Sequence, residues 1–256
     1  MKPEEILSKL EEYGSLSLSD EFCKKYGMYD NSGLIADCGG EIKGILFSLD
    51  LSKKAVNKAL ELGYNLIVTH HPAIYGGISR IKYSDPLAVC IKNGISVISM
   101  HLNYDAAENG IDYYLMCGLG GKKAEILCNL NGGGYGRVYA VDGCKFSGYF
   151  KKVCETFGTS RSCAYGDPER NIKKVASFCG AGYDGNTFKF ALQSGADVFV
   201  SSDLKHHEIT SLTENGLNVI HLTHYSSENY GFKKIYDSVK TKLQIPSVFF
   251  TDKDLL

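Results

Sequence analysis

The segment Leu66-Ile-Val-Thr-His-His-Pro72 sets two adjacent histidines directly after an apolar, β-branched run. A parallel strand that ends in a loop delivers side chains to the edge of its sheet, and imidazole binds zinc, iron, nickel and copper. Neighbouring residues that leave a strand point in different directions, so His70 and His71 are better placed to serve two metals than to chelate one. The alternative is a hydrogen-bonded or surface pair without a ligand role.

The remaining histidines follow the same rule, because an open α/β sheet binds ligands beyond the carboxyl ends of its strands. Four of the other five lie just past a predicted strand: His101, His206, His207 and His224. His221 alone lies inside a predicted strand, where a structural role in the sheet is expected.

Two carboxylates accompany these histidines. His224 and Glu228 are four residues apart, so on the first turn of a helix they share one face and can bind one metal or two adjacent metals. An ordinary helix start, with Ser226 or Ser227 as cap, explains the same spacing equally well. Asp105 follows the corresponding strand of the first half, where a turn or cap is the alternative role.

Five residues of this set supply three imidazole nitrogens and two carboxylates: His70, His71, Asp105, His224 and Glu228. Such a set suits two divalent ions about 3.5–4 Å apart, with a bridging carboxylate and positions left for water that provide a hydroxide nucleophile. Zinc, iron, manganese, cobalt and nickel all fit these donors. A further four residues are candidates for supporting the ligands or carrying protons, or are ordinary surface positions: His101, Asp203, His206 and His207.

Strands alternate with helices along most of the chain, which predicts an α/β protein with mainly parallel sheets flanked by helices. Residues 59–69 match residues 191–201 at an offset of 132, and residues 93–100 match residues 215–222 at an offset of 122. The offsets differ because the loop after His71 is longer than its counterpart. Chance similarity between strand–helix units is the alternative, but two blocks in the same order favour an internal duplication.

The duplication predicts two similar α/β domains in residues 1–122 and 123–256, with a C-terminal strand and helix able to pack back on the first domain. Between the halves lies Asn131-Gly-Gly-Gly-Tyr-Gly-Arg137. This segment has neither the phosphate-loop spacing nor the dinucleotide spacing of glycines, so it is interpreted as a turn or hinge.

Composition excludes several classes of protein. The chain has 256 residues, 44% of them hydrophobic and 22% charged, which is typical of a globular protein. A formal net charge of −1 gives no basis for binding nucleic acid or anionic membranes. No apolar run approaches the length of a membrane span. The nine cysteines are an odd set without a C-x-x-C pair, which indicates reduced thiols and a cytoplasmic protein.

Several segments in order along the chain together resemble one family: Asp30-Asn-Ser-Gly-Leu34, Thr69-His-His-Pro72, His101 to Asp105, Ser202-Asp-Leu-Lys-His-His207 and His224-x-x-x-Glu228. They are similar to the motifs of the GTP cyclohydrolase I type 2 homologues, the Nif-three-like dinuclear metal-centre proteins. The length fits the short members, which lack an inserted domain. Tyr104 departs from the leucine often found in the Asn-Leu-Asp motif, while Asp105 itself is retained.

The resemblance implies two α/β domains related by internal similarity, with two metal ions in the cleft between them, and a toroidal homohexamer. By this resemblance His71 and Asp105 hold one metal, and His70 and His224 hold the other. Glu228 bridges the two metals. Asp203 and His207 line the site without being principal ligands.

The leading functional hypothesis is a metal-dependent hydrolase acting on a small phosphate-bearing or nucleotide-like substrate. Ring opening of GTP would need a proton carrier, for which His101 and His207 are candidates, and cations for the triphosphate. Lys205, Arg80 and Arg137 are the candidate cations, all expected on solvated surface, and the chain shows no triphosphate cradle. The alternative is a non-catalytic metal-binding, metal-trafficking or scaffold hexamer.

Overall fold

The structure is a computed structural model that describes all of residues 1–256, and the chain forms two compact units. Unit 1 comprises residues 1–110 and 232–252, and unit 2 comprises residues 111–231 and 253–256. The predicted division lay between residues 122 and 123, whereas the chain leaves unit 1 at Gly110.

The eleven strands are β1 (Gly33–Ala36), β2 (Ile45–Ser48), β3 (Leu66–Thr69), β4 (Ser96–Ser99), β5 (Ala124–Leu130), β6 (Gly133–Lys145), β7 (Cys163–Tyr165), β8 (Asn171–Ser177), β9 (Val198–Ser201), β10 (Asn218–His221) and β11 (Ser247–Phe250). The ten α-helices are α1 (Pro3–Glu11), α2 (Leu16–Tyr26), α3 (Lys53–Leu62), α4 (Pro86–Lys92), α5 (Leu102–Ala106), α6 (Ile111–Gly118), α7 (Phe146–Phe157), α8 (Gly185–Gln193), α9 (His206–Glu214) and α10 (His224–Leu243). None of these helices has the length and apolar character needed to cross a membrane.

Unit 1 is built on a five-stranded sheet of order β1-β4-β3-β2-β11. Strands β4, β3, β2 and β11 are parallel, and β1 pairs antiparallel with β4 at the edge. Every residue of β2, β3 and β4 is buried, as continuous apolar strands of a covered parallel sheet should be. Helix α3 starts at the Ser52 cap and ends at Gly63, whose φ of 68° is the left-handed conformation that favours glycine.

Unit 2 is built on a six-stranded sheet of order β5-β6-β8-β9-β10-β7. Strands β8, β9 and β10 are parallel, β7 is an antiparallel edge, and β5 and β6 add an antiparallel hairpin beside β8. A core of Phe178, Phe199, Leu212 and Val219 fills the space between this sheet and its helices. The predicted α/β class with two similar units is confirmed. The predominance of parallel pairing holds in unit 1, and the sheet of unit 2 is mixed.

The glycine-rich segment lies in this hairpin. Its turn is confined to Asn131 and Gly132, and Gly133 already opens strand β6. The hinge interpretation is therefore wrong. A Cβ at Gly136 would lie 2.8 Å from the ring of Phe178, and one at Gly134 would lie 2.7 Å from the carbonyl oxygen of Cys128. Glycine is needed at both positions because neighbouring atoms approach the strand closely.

Candidate metal centre

His70 leaves the end of β3 as a fully buried side chain. Its Nδ1 lies 2.9 Å from the carbonyl oxygen of Met100. A carbonyl oxygen can only accept a hydrogen bond, so Nδ1 carries the proton and Nε2 presents a lone pair. That Nε2 lies 3.5 Å from Oδ1 of Asp105. The imidazole is thus held in the tautomer that a metal ligand requires.

His71 is oriented by a carboxylate. Its Nδ1 lies 2.6 Å from Oδ1 of Asp50, a residue just beyond the end of β2. The backbone N–H groups of His70 and His71 both donate to the carbonyl oxygen of Leu49, at 3.2 and 3.0 Å. The chain after β3 is therefore tied to the chain after β2, and the His71 ring turns its Nε2 away from Asp50.

His101 repeats this arrangement after β4, with its Nδ1 2.7 Å from Oδ1 of Asp30. Oδ2 of Asp30 accepts from the hydroxyls of Ser19 and Ser32, at 2.5 and 2.6 Å. Burial raises the pKa of Asp30, but the hydrogen bonds from His101, Ser19 and Ser32 outweigh it and hold the pKa well below its ordinary value. Asp30 is therefore a carboxylate, and it fixes the His101 ring.

These three imidazoles lie together in unit 1. The ring centroids are 5.0 Å apart for His70 and His71, 5.2 Å for His70 and His101, and 5.9 Å for His71 and His101. Ligand atoms of His70, His101 and Asp105 lie within 4.8 Å of one another, close enough to hold a metal ion. In each ring Nδ1 faces a fixed acceptor, which is the usual support of a histidine ligand and fits a divalent metal.

Asp105 is positioned by the short helix α5, where it is buried. The amide of Asn103 donates to the carbonyl oxygen of Gly14 at 2.7 Å, and the Tyr104 hydroxyl donates to the carbonyl oxygen of Leu10 at 3.1 Å. Tyr104 is fully buried. The tyrosine that departs from the family motif thus anchors the helix that carries Asp105.

Unit 2 supplies the second cluster. Nε2 of His224 lies 3.0 Å from Oε2 of Glu228, so these residues share the first turn of α10 as their spacing predicts. Nδ1 of His224 lies 2.5 Å from Oδ2 of Asp203. The alternative of a serine cap at Ser226 or Ser227 is not what the structure shows, because Thr223 precedes the helix and its hydroxyl accepts from the backbone N–H of Ser226 at 3.0 Å. Threonine at that position satisfies a donor of the first turn.

Gly180 packs directly against this cluster. It has a φ of +60°, and a Cβ at this position would lie 2.4 Å from Oε1 of Glu228 and 3.5 Å from Nε2 of His224. Asp203 also has a positive φ, 53°. A non-glycine residue in this region carries strain, and strained backbone concentrates at functional sites. Here the strain places a carboxylate against His224.

The remaining three histidines form no hydrogen bond with the residues of these clusters. His206 and His207 begin α9, where the His207 side chain is 76% exposed and its Nε2 lies 4.0 Å from Oε1 of Glu208. His221 ends β10 half-buried, where burial lowers its pKa and Asp203 raises it less. Proton transfer by His101 or His207 stays a prediction.

The candidate cations also differ from expectation. Arg137 is buried and its Nε lies 3.0 Å from Oδ2 of the fully buried Asp112, so the expected solvated position is wrong for this residue. A buried arginine needs such a partner. Lys205 is exposed and lies 3.8 Å from Glu208, and Arg80 is exposed in the loop before α4.

Sequence reasoning missed the two acceptors Asp30 and Asp50 and the close packing of Gly180. Asp50 lies two residues beyond the end of β2, so the strand-end rule that found the histidines could also have found it. Asp30 lies inside a segment that carried the family resemblance, without an assigned role. Gly180 gives no signal in a single sequence, because its importance depends on a neighbour 48 residues further on.

Two related α/β units with histidine–carboxylate clusters beyond their strands define a class of candidate metal-binding proteins. The chain matches the sequence pattern of Duf34/NIF3 (NGG1p interacting factor 3) over residues 1–254, and it belongs to that family. The resemblance predicted from the motifs is thereby confirmed.

Known proteins of similar sequence and structure support the assignment to this family. The GTP cyclohydrolase 1 type 2 homolog of Clostridium perfringens is 29% identical over 263 aligned positions, which cover 99% of this chain and 97% of the relative. Reduced HcgD from Methanocaldococcus jannaschii superposes with a TM-score of 0.81 and 27% identity over 98% of both chains. A Staphylococcus aureus protein, with a TM-score of 0.86 and 24% identity over 100% of this chain and 98% of its own, shares the fold.

Proposed function

We propose that this chain binds two divalent metal ions and acts as a metal-dependent hydrolase on a small phosphate-bearing or nucleotide-like substrate. The observation that carries the proposal is the engagement of Nδ1 in His70, His71 and His101 by fixed acceptors. Purely structural histidines have no need to present three Nε2 lone pairs in one cluster.

The ligand assignment in this proposal follows the family resemblance. By that resemblance His71 and Asp105 would hold one ion, His70 and His224 would hold the other, and Glu228 would serve as a ligand of both. Zinc, iron, manganese, cobalt and nickel suit these donors. When bound, such ions supply Lewis acidity and an activated water.

The chain's own residues then orient the ligands and move protons. Asp50 fixes the ring of His71, and Asp203 fixes the ring of His224. His101, held by Asp30, is proposed to exchange a proton with the substrate through Nε2, and His207 is the second candidate. The nucleotide-like substrate rests on the name of the Clostridium perfringens relative.

Metal analysis tests the site. Purified protein is dialysed, and its metal content is measured by mass spectrometry for the wild type and for Asp105→Ala and Glu228→Ala. Each variant should lose at least one metal equivalent per chain. Asp142→Ala and Glu214→Ala remove exposed carboxylates and serve as controls. Full metal content in Asp105→Ala and Glu228→Ala would show that the proposed site is wrong.

Hydrolysis assays test the activity. Nucleotides, phosphoesters and cyclic amides are screened with added manganese, iron, cobalt or zinc, and His70→Ala should abolish any turnover. Uniform background rates in metal-loaded wild type would favour the non-catalytic metal-trafficking or scaffold role instead.

A cytoplasmic homohexamer completes the proposal, on the strength of the family resemblance. No disulfide joins the nine cysteines, in keeping with a reducing compartment. Light scattering during size-exclusion chromatography should give six times the chain mass of 28.1 kDa. A monomer mass at micromolar concentration would refute the hexamer but would not refute the proposed metal site.

A further inference from the structure

The connection between β3 and α4 is much longer than its counterpart in unit 2. Residues 70–85 join β3 to α4, whereas residues 202–205 join β9 to α9. We call residues 72–85 the pocket loop. Long loops without regular structure at the carboxyl end of a sheet are commonly functional. The extra length of this loop therefore indicates a function at the histidine cluster that follows β3.

The pocket loop encloses a cavity of about 390 Å³ beside His71. Its walls are formed by Asp50 and His71 on one side, by Ile78, Arg80 and Ile81 of the loop on another, and by the start of α4. This volume lies within the range of about 300–1,000 Å³ found for small-molecule sites. His71, a proposed metal ligand, thus forms part of the wall of this cavity.

Charge distinguishes Arg80 from the other ionisable groups of the cavity. Oδ1 of Asp50 is engaged by His71, and Oδ2 of Asp85 accepts from the backbone N–H of Lys82 at 2.7 Å. No hydrogen bond or ion pair engages the guanidinium of Arg80. Because Arg137 and Lys205 both have acidic partners, Arg80 is the one remaining cation of the three candidates.

The loop also exposes apolar surface to the cavity. The side chains of Ile78 and Ile81 are 47% and 57% exposed, on either side of Arg80 in sequence. Exposed apolar groups beside a cavity are typical of ligand sites, where they cover the apolar part of the ligand. A guanidinium that lines the same cavity as two such groups matches a ligand with a flat apolar ring and an anionic group.

We infer that the pocket loop is the substrate-recognition element, in which Arg80 binds a phosphoryl group and Ile78 and Ile81 cover a planar ring. This inference rests on the proposed function, which it deepens by naming the part of the chain that selects the substrate. The phosphoryl group lies at Arg80, and the reacting end of the substrate faces His71.

The test compares guanosine monophosphate with guanosine, two probes that differ only in the phosphoryl group. Dissociation constants are measured by isothermal titration calorimetry, after incubation with divalent metal, on the wild type and on Arg80→Ala, Arg80→Lys, Lys82→Ala and Ile78→Ala. Lys82 is an exposed cation two residues away that does not line the cavity, so Lys82→Ala is the matched control. The metal content of each sample is measured in parallel.

The wild type should bind the monophosphate at least about tenfold more tightly than guanosine, the effect expected of one charge-assisted contact. Arg80→Ala should remove this preference and leave guanosine binding unchanged, and Arg80→Lys should retain part of it. Lys82→Ala should behave as wild type. Ile78→Ala should weaken both probes equally.

Two results would overturn the inference: equal binding of both probes by the wild type, or an undiminished preference in Arg80→Ala, which would assign the phosphoryl group to the metals. If either result is obtained with protein that has its full metal content, the recognition loop is refuted but the proposed metal site is not. Loss of the preference in Arg80→Ala in protein that binds no metal would uphold the recognition loop and refute the metal centre.

Discussion

The central strands of the two units pair in the same register. Leu66 pairs with Ser96 and Thr69 with Ser99 in unit 1, and the residues at the repeat offsets, Val198 with Asn218 and Ser201 with His221, pair in unit 2. The edge strands agree as well. In unit 1, β1 pairs antiparallel with β4, the strand before His101, and in unit 2, β7 pairs antiparallel with β10, the strand before His224.

The units differ at the ends of those strands. After β3 unit 1 carries two histidines and a long loop, while after β9 unit 2 carries serine, a strained aspartate and a short loop. The strands are held in register by the hydrogen bonds of their ladder, whereas the residues beyond them lie outside the ladder. The comparison teaches that the paired strands repeat between the units, whereas the segments that follow them, which carry the predicted ligands, differ in sequence and in length.

The largest expected effect is a loss of stability caused by a substitution in unit 2. Asp112 accepts from the backbone N–H of Gly136 at 3.0 Å and pairs with buried Arg137. Asp112→Ala leaves that arginine buried without its carboxylate, so the free energy of unfolding should fall by about 3–5 kcal/mol. Urea denaturation measures it. Glu169→Ala removes an exposed partner of Lys145 and should change stability by at most about 1 kcal/mol.

The second prediction separates backbone strain from site packing. Gly180 and Gly195 both have a positive φ, but a Cβ at Gly195 would meet nothing within 4 Å. Gly195→Ala should cost about 1–2 kcal/mol from strain alone. Gly180→Ala should cost about 1–3 kcal/mol more, because its methyl group displaces Glu228, and should reduce metal content. Equal losses of stability with unchanged metal content would contradict the proposed role of Glu228.

The third prediction compares two caps at equivalent positions, Ser52 of α3 and Asp184 of α8. The Ser52 hydroxyl accepts from the backbone N–H of Ala55, whereas the Asp184 carboxylate accepts from the N–H groups of Asn186 and Thr187. Both changes to alanine should destabilise by about 0.5–2 kcal/mol, with Asp184→Ala the larger. Thermal denaturation measures the difference, and a larger loss for Ser52→Ala would refute this reasoning.

The smallest effect concerns reactivity without any loss of stability. Burial raises the pKa of Cys90 in unit 1 to about 12, so at pH 8 almost none of this thiol is ionised. Cys163, on the edge strand of unit 2, is exposed. Iodoacetamide followed by peptide mass spectrometry should modify Cys163 first and leave Cys90 intact, because the thiolate is the reactive form. Rapid modification of Cys90 in native protein would show that α4 opens.

The sequence predicted the repeated parts of the fold well, because their signals are local. Apolar runs and the glycines at 63 and 195 mark β3, β9 and the helices before them, and the strand-end rule located every histidine of unit 1. The hairpin of β5 and β6 was missed, since its glycines report close packing against distant residues such as Phe178. Arg137 was misplaced for the same reason, because its partner Asp112 lies 25 positions earlier in the chain.

One residue, Met100, connects the ladder to the ligand cluster of unit 1. Its N–H donates to the carbonyl oxygen of Thr69 at 2.8 Å, and its own carbonyl accepts from the ring of His70. The orientation of His70 is therefore acquired when the two strands pair, and a slip of one residue would turn the ring out of the cluster. The orientation of this proposed ligand is therefore a product of chain folding, and a metal ion bound at His70 would have no ring to reorient.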